Sequence, residues 1–151
     1  NVLMQRTQPD SAIISYKKAY KERLHGKEPG YLPDLCINLA DANVHKGDYT
    51  YAAYYYRRAL FLCDSLGLPD RNKFPVYYGL GQTYMELRDF ELSNHYYELA
   101  GAFFDRMSVS EKWTYLNNRG NHFYYKKDYP QAVCYISRAL DVVEYYPKMV
   151  F

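Results

Sequence analysis

Four times along this chain a small residue is followed four positions on by Tyr or Ile, and three positions further by Ala. The sets are Ala12-Tyr16-Ala19, Ala52-Tyr56-Ala59, Ser93-Tyr97-Ala100 and Ala132-Ile136-Ala139, and their first members stand 40, 41 and 39 residues apart. A fixed period of this length marks a chain of stacked supersecondary units, each too small to bury its apolar face alone. Steps of four and three place the three side chains on one side of a helix. The small residues allow another helix to come close, and the larger one fills the space between them. Three of the sets follow an Asp-aromatic pair: Asp48-Tyr49, Asp89-Phe90 and Asp128-Tyr129. A second helical pattern precedes each pair, starting near Pro33, Phe74 and Trp113. Each unit is therefore a helix A, a short turn at the Asp-aromatic pair and a helix B.

Local signals agree with this division. Ser108 and Glu111 have the spacing of a capping box ahead of the third helix A. Pro130 falls in the first turn of a helix B, where a missing N–H costs little. Gly26 and Gly67 are placed to end helices, and the stretches LHGKEPGYLP and LGLPDRN interrupt the pattern as turns between units. The reading is an all-α chain with a lone leading helix B at about residues 9–25, a partial repeat spanning 9–26, and three helix-turn-helix repeats at about 33–67, 74–107 and 110–146. The dense run YTYAAYYYRRAL at residues 49–60 then becomes legible. Ala52 and Ala59 admit the neighbouring helix, Tyr56 fills the gap and Tyr49 plugs the turn, whereas Tyr51 and Tyr54 lie off that face.

The units resemble tetratricopeptide repeats, whose signature runs aromatic, Leu-Gly, Tyr, Ala, aromatic, Ala. The middle unit matches best, through Tyr77, Leu80, Gly81, Tyr84, Ser93, Tyr97 and Ala100. The first has Leu39-Ala40 for Leu-Gly and Asn43 for Tyr. The third has Leu116, Gly120, Phe123, Ala132, Ile136 and Ala139, with Arg119 where the family usually has Leu. The resemblance implies an α-α superhelix. A period near 40 exceeds the family's minimal 34, which is similar to the longer repeats of bacterial signalling proteins.

Composition narrows the chemistry. Net charge is only +2, too balanced by itself for a nucleic-acid or membrane surface. The basic cluster Lys17, Lys18, Lys21, Arg23 and Lys27, with Tyr16 and Tyr20, reads as a solvated helix face, so no nucleic-acid partner is expected. No apolar run is long enough for a membrane span. Three widely spaced cysteines, Cys36, Cys63 and Cys134, fit neither a disulfide framework nor a zinc site; they read as small core residues. The four histidines, His25, His45, His95 and His122, have no second His or Cys one helical turn away and form no HExxH motif, and His25 suits a helix C-terminus. Gly79-Leu80-Gly81 lacks the strand, the third Gly and the Lys of a phosphate loop. No catalytic residue, metal or cofactor is expected. The chain opens with Asn1 and shows no signal-peptide pattern; the expectation is a cytoplasmic protein, or a periplasmic one whose signal has been removed.

By resemblance, the A helices line a concave peptide-binding groove. Its positions fall on Asp34, Ile37, Asp41, Val44 and His45 in the first unit. They fall on Tyr78, Gln82, Met85 and Glu86 in the second, and on Thr114, Asn117, Asn121, Tyr124 and Tyr125 in the third. Amides carry both a donor and an acceptor, which suits an extended peptide backbone. Family members that clamp a C-terminal carboxylate use Lys or Arg and Asn at the fifth and ninth positions of helix A. Ile37 and Asp41 stand there in the first unit, and an acid repels such a ligand. The function implied is a non-catalytic protein- or peptide-interaction module, the sensory or scaffolding part of a larger signalling protein. The alternative is a structural or oligomerising spacer that presents a neighbouring effector domain. The leading helix B without its helix A, and the apolar Met149-Val150-Phe151 after Pro147, point to a fragment of a longer solenoid that pairs end to end when isolated or packs its last residues poorly.

Overall fold

In the computed structural model, residues 2–24 and 29–145 are described. They form seven α-helices and no strand: α1 (Val2–Leu24), α2 (Leu32–Lys46), α3 (Tyr49–Ser65), α4 (Phe74–Glu86), α5 (Phe90–Gly101), α6 (Val109–Tyr125) and α7 (Tyr129–Tyr145). Each helix packs on the next in sequence, and α2 also touches α4, as α4 touches α6. The chain is thus an all-α helical-repeat superhelix, with α2, α4 and α6 as the A helices and α1, α3, α5 and α7 as the B helices.

The three A-to-B turns share one construction, written by the recurrent Asp. The residue before it takes a left-handed conformation, with φ of 81° at Gly47, 63° at Arg88 and 66° at Lys127. The Asp N–H then bonds a carbonyl five residues back: Asp48 to Asn43 at 2.8 Å, Asp89 to Tyr84 at 3.0 Å and Asp128 to Phe123 at 2.9 Å. Its side chain caps the following helix by accepting from the N–H of Tyr51, Leu92 or Gln131. One residue therefore closes helix A and opens helix B. The Ser108–Glu111 capping box is also formed, at 3.3 and 2.7 Å. Gly67, at φ 60°, follows the end of α3. The turns between units hold short 3-10 segments at Pro29–Tyr31, Asp70–Asn72 and Phe104–Arg106.

The small residues of the repeat lie inside the stack: Ala52, Ala59, Ser93, Ala100, Ala132 and Ala139 are all buried. One core gathers Leu32, Cys36, Ala40, Tyr56, Leu62, Val76 and Leu80 from α2, α3 and α4. A second gathers Tyr97, Met107, Tyr115, Leu116 and Ala139 from α5, α6, α7 and the turn before α6. Each fully buried Leu contributes about 1.5–3 kcal/mol of transfer free energy, so these two clusters carry much of the stack's stability.

Several expectations need correction. The leading helix begins at Val2 rather than near residue 9, and Pro9 lies inside it. Cys36 and Cys63 are buried, but Cys134 is exposed, because it sits on the outer side of α7. Burial pushes the Cys36 thiol up to about 11. Ile136 is partly exposed although it also covers Gly120. Tyr56 does more than fill a gap between two alanines. Its ring crosses to the next unit and lies against Gly79, where a Cβ would meet it at 2.3 Å. Gly81, one turn position away, receives the ring of Tyr97 from α5 at 2.8 Å. The Gly-Leu-Gly sequence is thus a seat for two tyrosine rings, one from each adjacent B helix. Gly26, His25, Lys27, Pro147 and the segment Met149-Val150-Phe151 lie outside the described residues.

Candidate functional site

The repeat register determines where the predicted groove positions lie. Asp34, Asp41 and His45 on α2 are exposed, while Ile37 and Val44 are half-buried against the first core. Asp41 is held in place, since its Oδ1 accepts a hydrogen bond from the Tyr56 hydroxyl. Burial first, and the Asp41 carboxylate second, push the Tyr56 phenol well above its ordinary value. Asp41 is thereby tied to α3, with the phenol as its donor.

A cavity of about 610 Å³ opens where α1 meets α2, lined by Tyr16, Asn38, Asp41 and His45 with Pro9, Ala12 and Ala42. That volume is within the usual range of ligand sites. Two of the predicted residues, Asp41 and His45, therefore face one recess; Tyr16 and Asn38 join them. Asn38 and Tyr16 were not among the predicted positions. The signal was available for Tyr16, as the aromatic of the first repeat set, but its place opposite α2 depends on how α1 docks.

On α4, Gln82 is half-buried and Glu86 exposed. Met85 is buried and packs inside the stack, so it offers no groove surface. Tyr78 is half-buried between rings, 6.3 Å from Phe74 and 6.2 Å from Tyr97, and its hydroxyl accepts from the Asn118 amide of α6. Burial pushes this phenol up to about 12. With Phe74, Ser110, Glu111 and Thr114 it lines a smaller cavity of about 120 Å³ between α4 and α6.

On α6, Thr114, Asn117 and Asn121 are half-buried, and Tyr124 and Tyr125 are exposed. Thr114 Oγ1 bonds back to the Ser110 carbonyl at 2.9 Å. Tyr124 and Tyr125 meet edge to face at 5.8 Å, and the Arg88 guanidinium lies 4.7 Å over Tyr125. The side chains of Gln82, Asn117 and Asn121 make no hydrogen bond within the described residues. Solvent reaches these amides, and a ligand that takes its place gains the modest net of an exchanged hydrogen bond at each.

A buried polar group not anticipated from the sequence lies between α5 and α6. Ser93 Oγ donates to the Gly81 carbonyl at 2.8 Å and stands 2.9 Å from His122 Nδ1. The Ser93 proton being engaged, Nδ1 carries the imidazole proton and donates to Oγ, leaving Nε2 as an unpartnered acceptor. Arg119, buried where the family has Leu, donates to Asn94 Oδ1 at 2.8 Å and to the Tyr135 hydroxyl at 3.4 Å. Its guanidinium lies 4.9 to 5.7 Å from the ring centres of Phe123, Tyr135 and Tyr97. Aromatic faces and two neutral acceptors thus surround the cation, while its Nε–H has no hydrogen-bond partner among the described residues. Among the described residues no group of three or more His, Cys, Asp or Glu side chains is arranged to hold a metal ion, and no helix is long and apolar enough to cross a membrane.

Residues 74–100, which span α4 and α5, match the family model of the tetratricopeptide repeat. No curated protein matches the chain.

Proposed function

The chain carries a tetratricopeptide repeat, and on that premise we propose that it is a non-catalytic interaction module which binds an extended segment of a protein partner along its A helices. Repeats of this family generally mediate protein–protein interaction or scaffolding, and the fold is typically non-catalytic. The observation that carries the reading is the set of half-buried side-chain amides, Gln82, Asn117 and Asn121, left without hydrogen bonds on the A helices. A peptide backbone offers a donor and an acceptor at each residue and satisfies such amides without regard to sequence. Selectivity then falls to the recesses beside them. The cavity at Asp41, His45 and Tyr16 takes one side chain, and Tyr124 and Tyr125 flank another. The period of 39–41 residues, similar to that of signalling proteins, supports a sensory or scaffolding role within a larger signalling protein.

Peptide-library selection on the wild-type chain and on the Asn117→Ala plus Asn121→Ala double variant tests this. The expected result is enrichment of extended peptides by the wild type and a roughly 5- to 30-fold weaker Kd for the variant, from loss of about 1–2 kcal/mol. Equal binding by both proteins, or no binder to either, refutes the groove and leaves the spacer reading.

A further inference from the structure

The outer face of α7 carries a line of exposed apolar side chains that no described element covers. Tyr129, Val133, Ile136 and Leu140 are 54, 64, 36 and 61% exposed, and half-buried Val143 continues the line. On α3 the corresponding register positions are Tyr49, Ala53, Tyr56, Leu60 and Cys63, all half-buried or buried. There α4 covers them, with the Tyr56 ring seated on Gly79.

The α7 face is not simply a bare copy of that one. Ile136 stands where α3 and α5 carry Tyr56 and Tyr97; it covers Gly120 of α6 with one side and leaves the rest of its surface bare. The residues of the line are also spaced 4, 3, 4 and 3 apart, which is a heptad seam with β-branched Val and Ile among its members. A seam of this spacing over about 21 Å of helix fits another helix lying nearly parallel or antiparallel to it.

Charge decides the occupant. Lys126 and Lys127 flank the start of α7, and Asp141 and Glu144 lie near its end, all exposed. With Asp128 engaged in capping α7, the described charges are net basic at its start and acidic at its end. A second α7 running antiparallel brings opposite charges together at both ends, whereas a parallel one brings like charges together. We propose that two copies of this chain associate through α7, antiparallel about a two-fold axis near Ile136. Val133 of one copy then packs near the partner subunit's Leu140, and Lys127 approaches the partner subunit's Glu144. The contact is isologous, so it closes as a dimer and does not propagate. It leaves α2, α4 and α6 free, and so does not depend on the groove.

Sedimentation equilibrium of the full chain over a concentration series tests the proposal, in reducing buffer because Cys134 is exposed. The expected result is a reversible monomer–dimer equilibrium. Val133→Lys with Leu140→Lys, both at exposed positions, should weaken it at least about tenfold while the far-ultraviolet circular dichroism stays unchanged. Lys127→Glu alone should weaken the dimer, and Lys127→Glu with Glu144→Lys should restore it. A wild-type chain that stays monomeric throughout the series overturns the proposal. So does a dimer indifferent to the Val133 and Leu140 changes, and failure of the charge exchange to restore association overturns the antiparallel arrangement.

Discussion

His122 is a neutral base enclosed by rings. Phe123, Phe90 and Tyr97 lie 5.1 to 6.0 Å from it, its Nδ1–H is taken by Ser93, and Nε2 faces no donor. Burial, then the charges of Arg119 and Lys126, lower its pKa from 6.5 to about 4. The sign follows from proton counting. Below pH 6.5 the unfolded chain binds a proton at this residue and the folded chain does not, so stability falls as pH drops from 6.5 to about 4. Near pH 4.5 the loss amounts to about 2–3 kcal/mol. Urea unfolding at pH 7 and pH 4.5 checks this; His122→Gln should lose less between the two pH values than the wild type, and an identical loss would refute the assignment. Gly79 permits a second test at the same scale. Helix propensity alone predicts that Gly79→Ala stabilises by about 1 kcal/mol. A methyl group 2.3 Å from the buried Tyr56 ring forces α3 and α4 apart instead, and the expected net result is a loss on the order of 1–3 kcal/mol. A raised melting temperature would place the ring elsewhere.

At the scale of the element, the three A-to-B turns form an internal comparison. All need a left-handed residue, and only the first uses Gly. A non-Gly residue there costs about 1 kcal/mol. Lys127→Gly should therefore raise stability by about 0.5–1 kcal/mol, and Gly47→Ala should lower it by a similar amount; thermal unfolding of the pair gives both signs. Arg88→Gly should gain less, since Arg88 also rests over Tyr125. These turns show what the sequence made legible. The Asp-aromatic pairs and Ser108 with Glu111 are local signals, complete within four residues, and they located the helix starts. The seats at Gly79 and Gly81 were invisible in that way. Tyr56 is 23 positions from Gly79, and only the docking of α3 on α4 brings them together. Ser93 and His122 are 29 apart and meet for a similar reason.

At the scale of the molecule, regularity of period gave the order of helices, though not the recess between α1 and α2 that Asp41 and His45 line, which depends on how α1 docks. The family register misled at the positions where one unit departs from the next. Met85 is drawn inside the stack. Cys134, whose residue type suggests core, lies on a side of α7 that no described element covers. Stability in such an array is close to a sum over units and junctions, so each departure is felt locally.

The junctions themselves differ in kind. Between α3 and α4 the contact is mainly apolar, with the Tyr56 ring on the Gly79 backbone among Leu62, Val76 and Leu80 and the Lys73–Asp64 ion pair, at 2.8 Å, at its edge. Between α5 and α6 it includes Ser93 with His122, Asn94 with Arg119, and the Tyr115 hydroxyl on the Tyr97 carbonyl at 3.1 Å. Dispersion contact falls off gradually as surfaces slide, whereas hydrogen bonds weaken steeply once their angle is lost. The array is therefore unevenly elastic. Bending at the α3–α4 joint is expected to cost energy gradually, and bending at the α5–α6 joint to cost it in steps as discrete hydrogen bonds are lost.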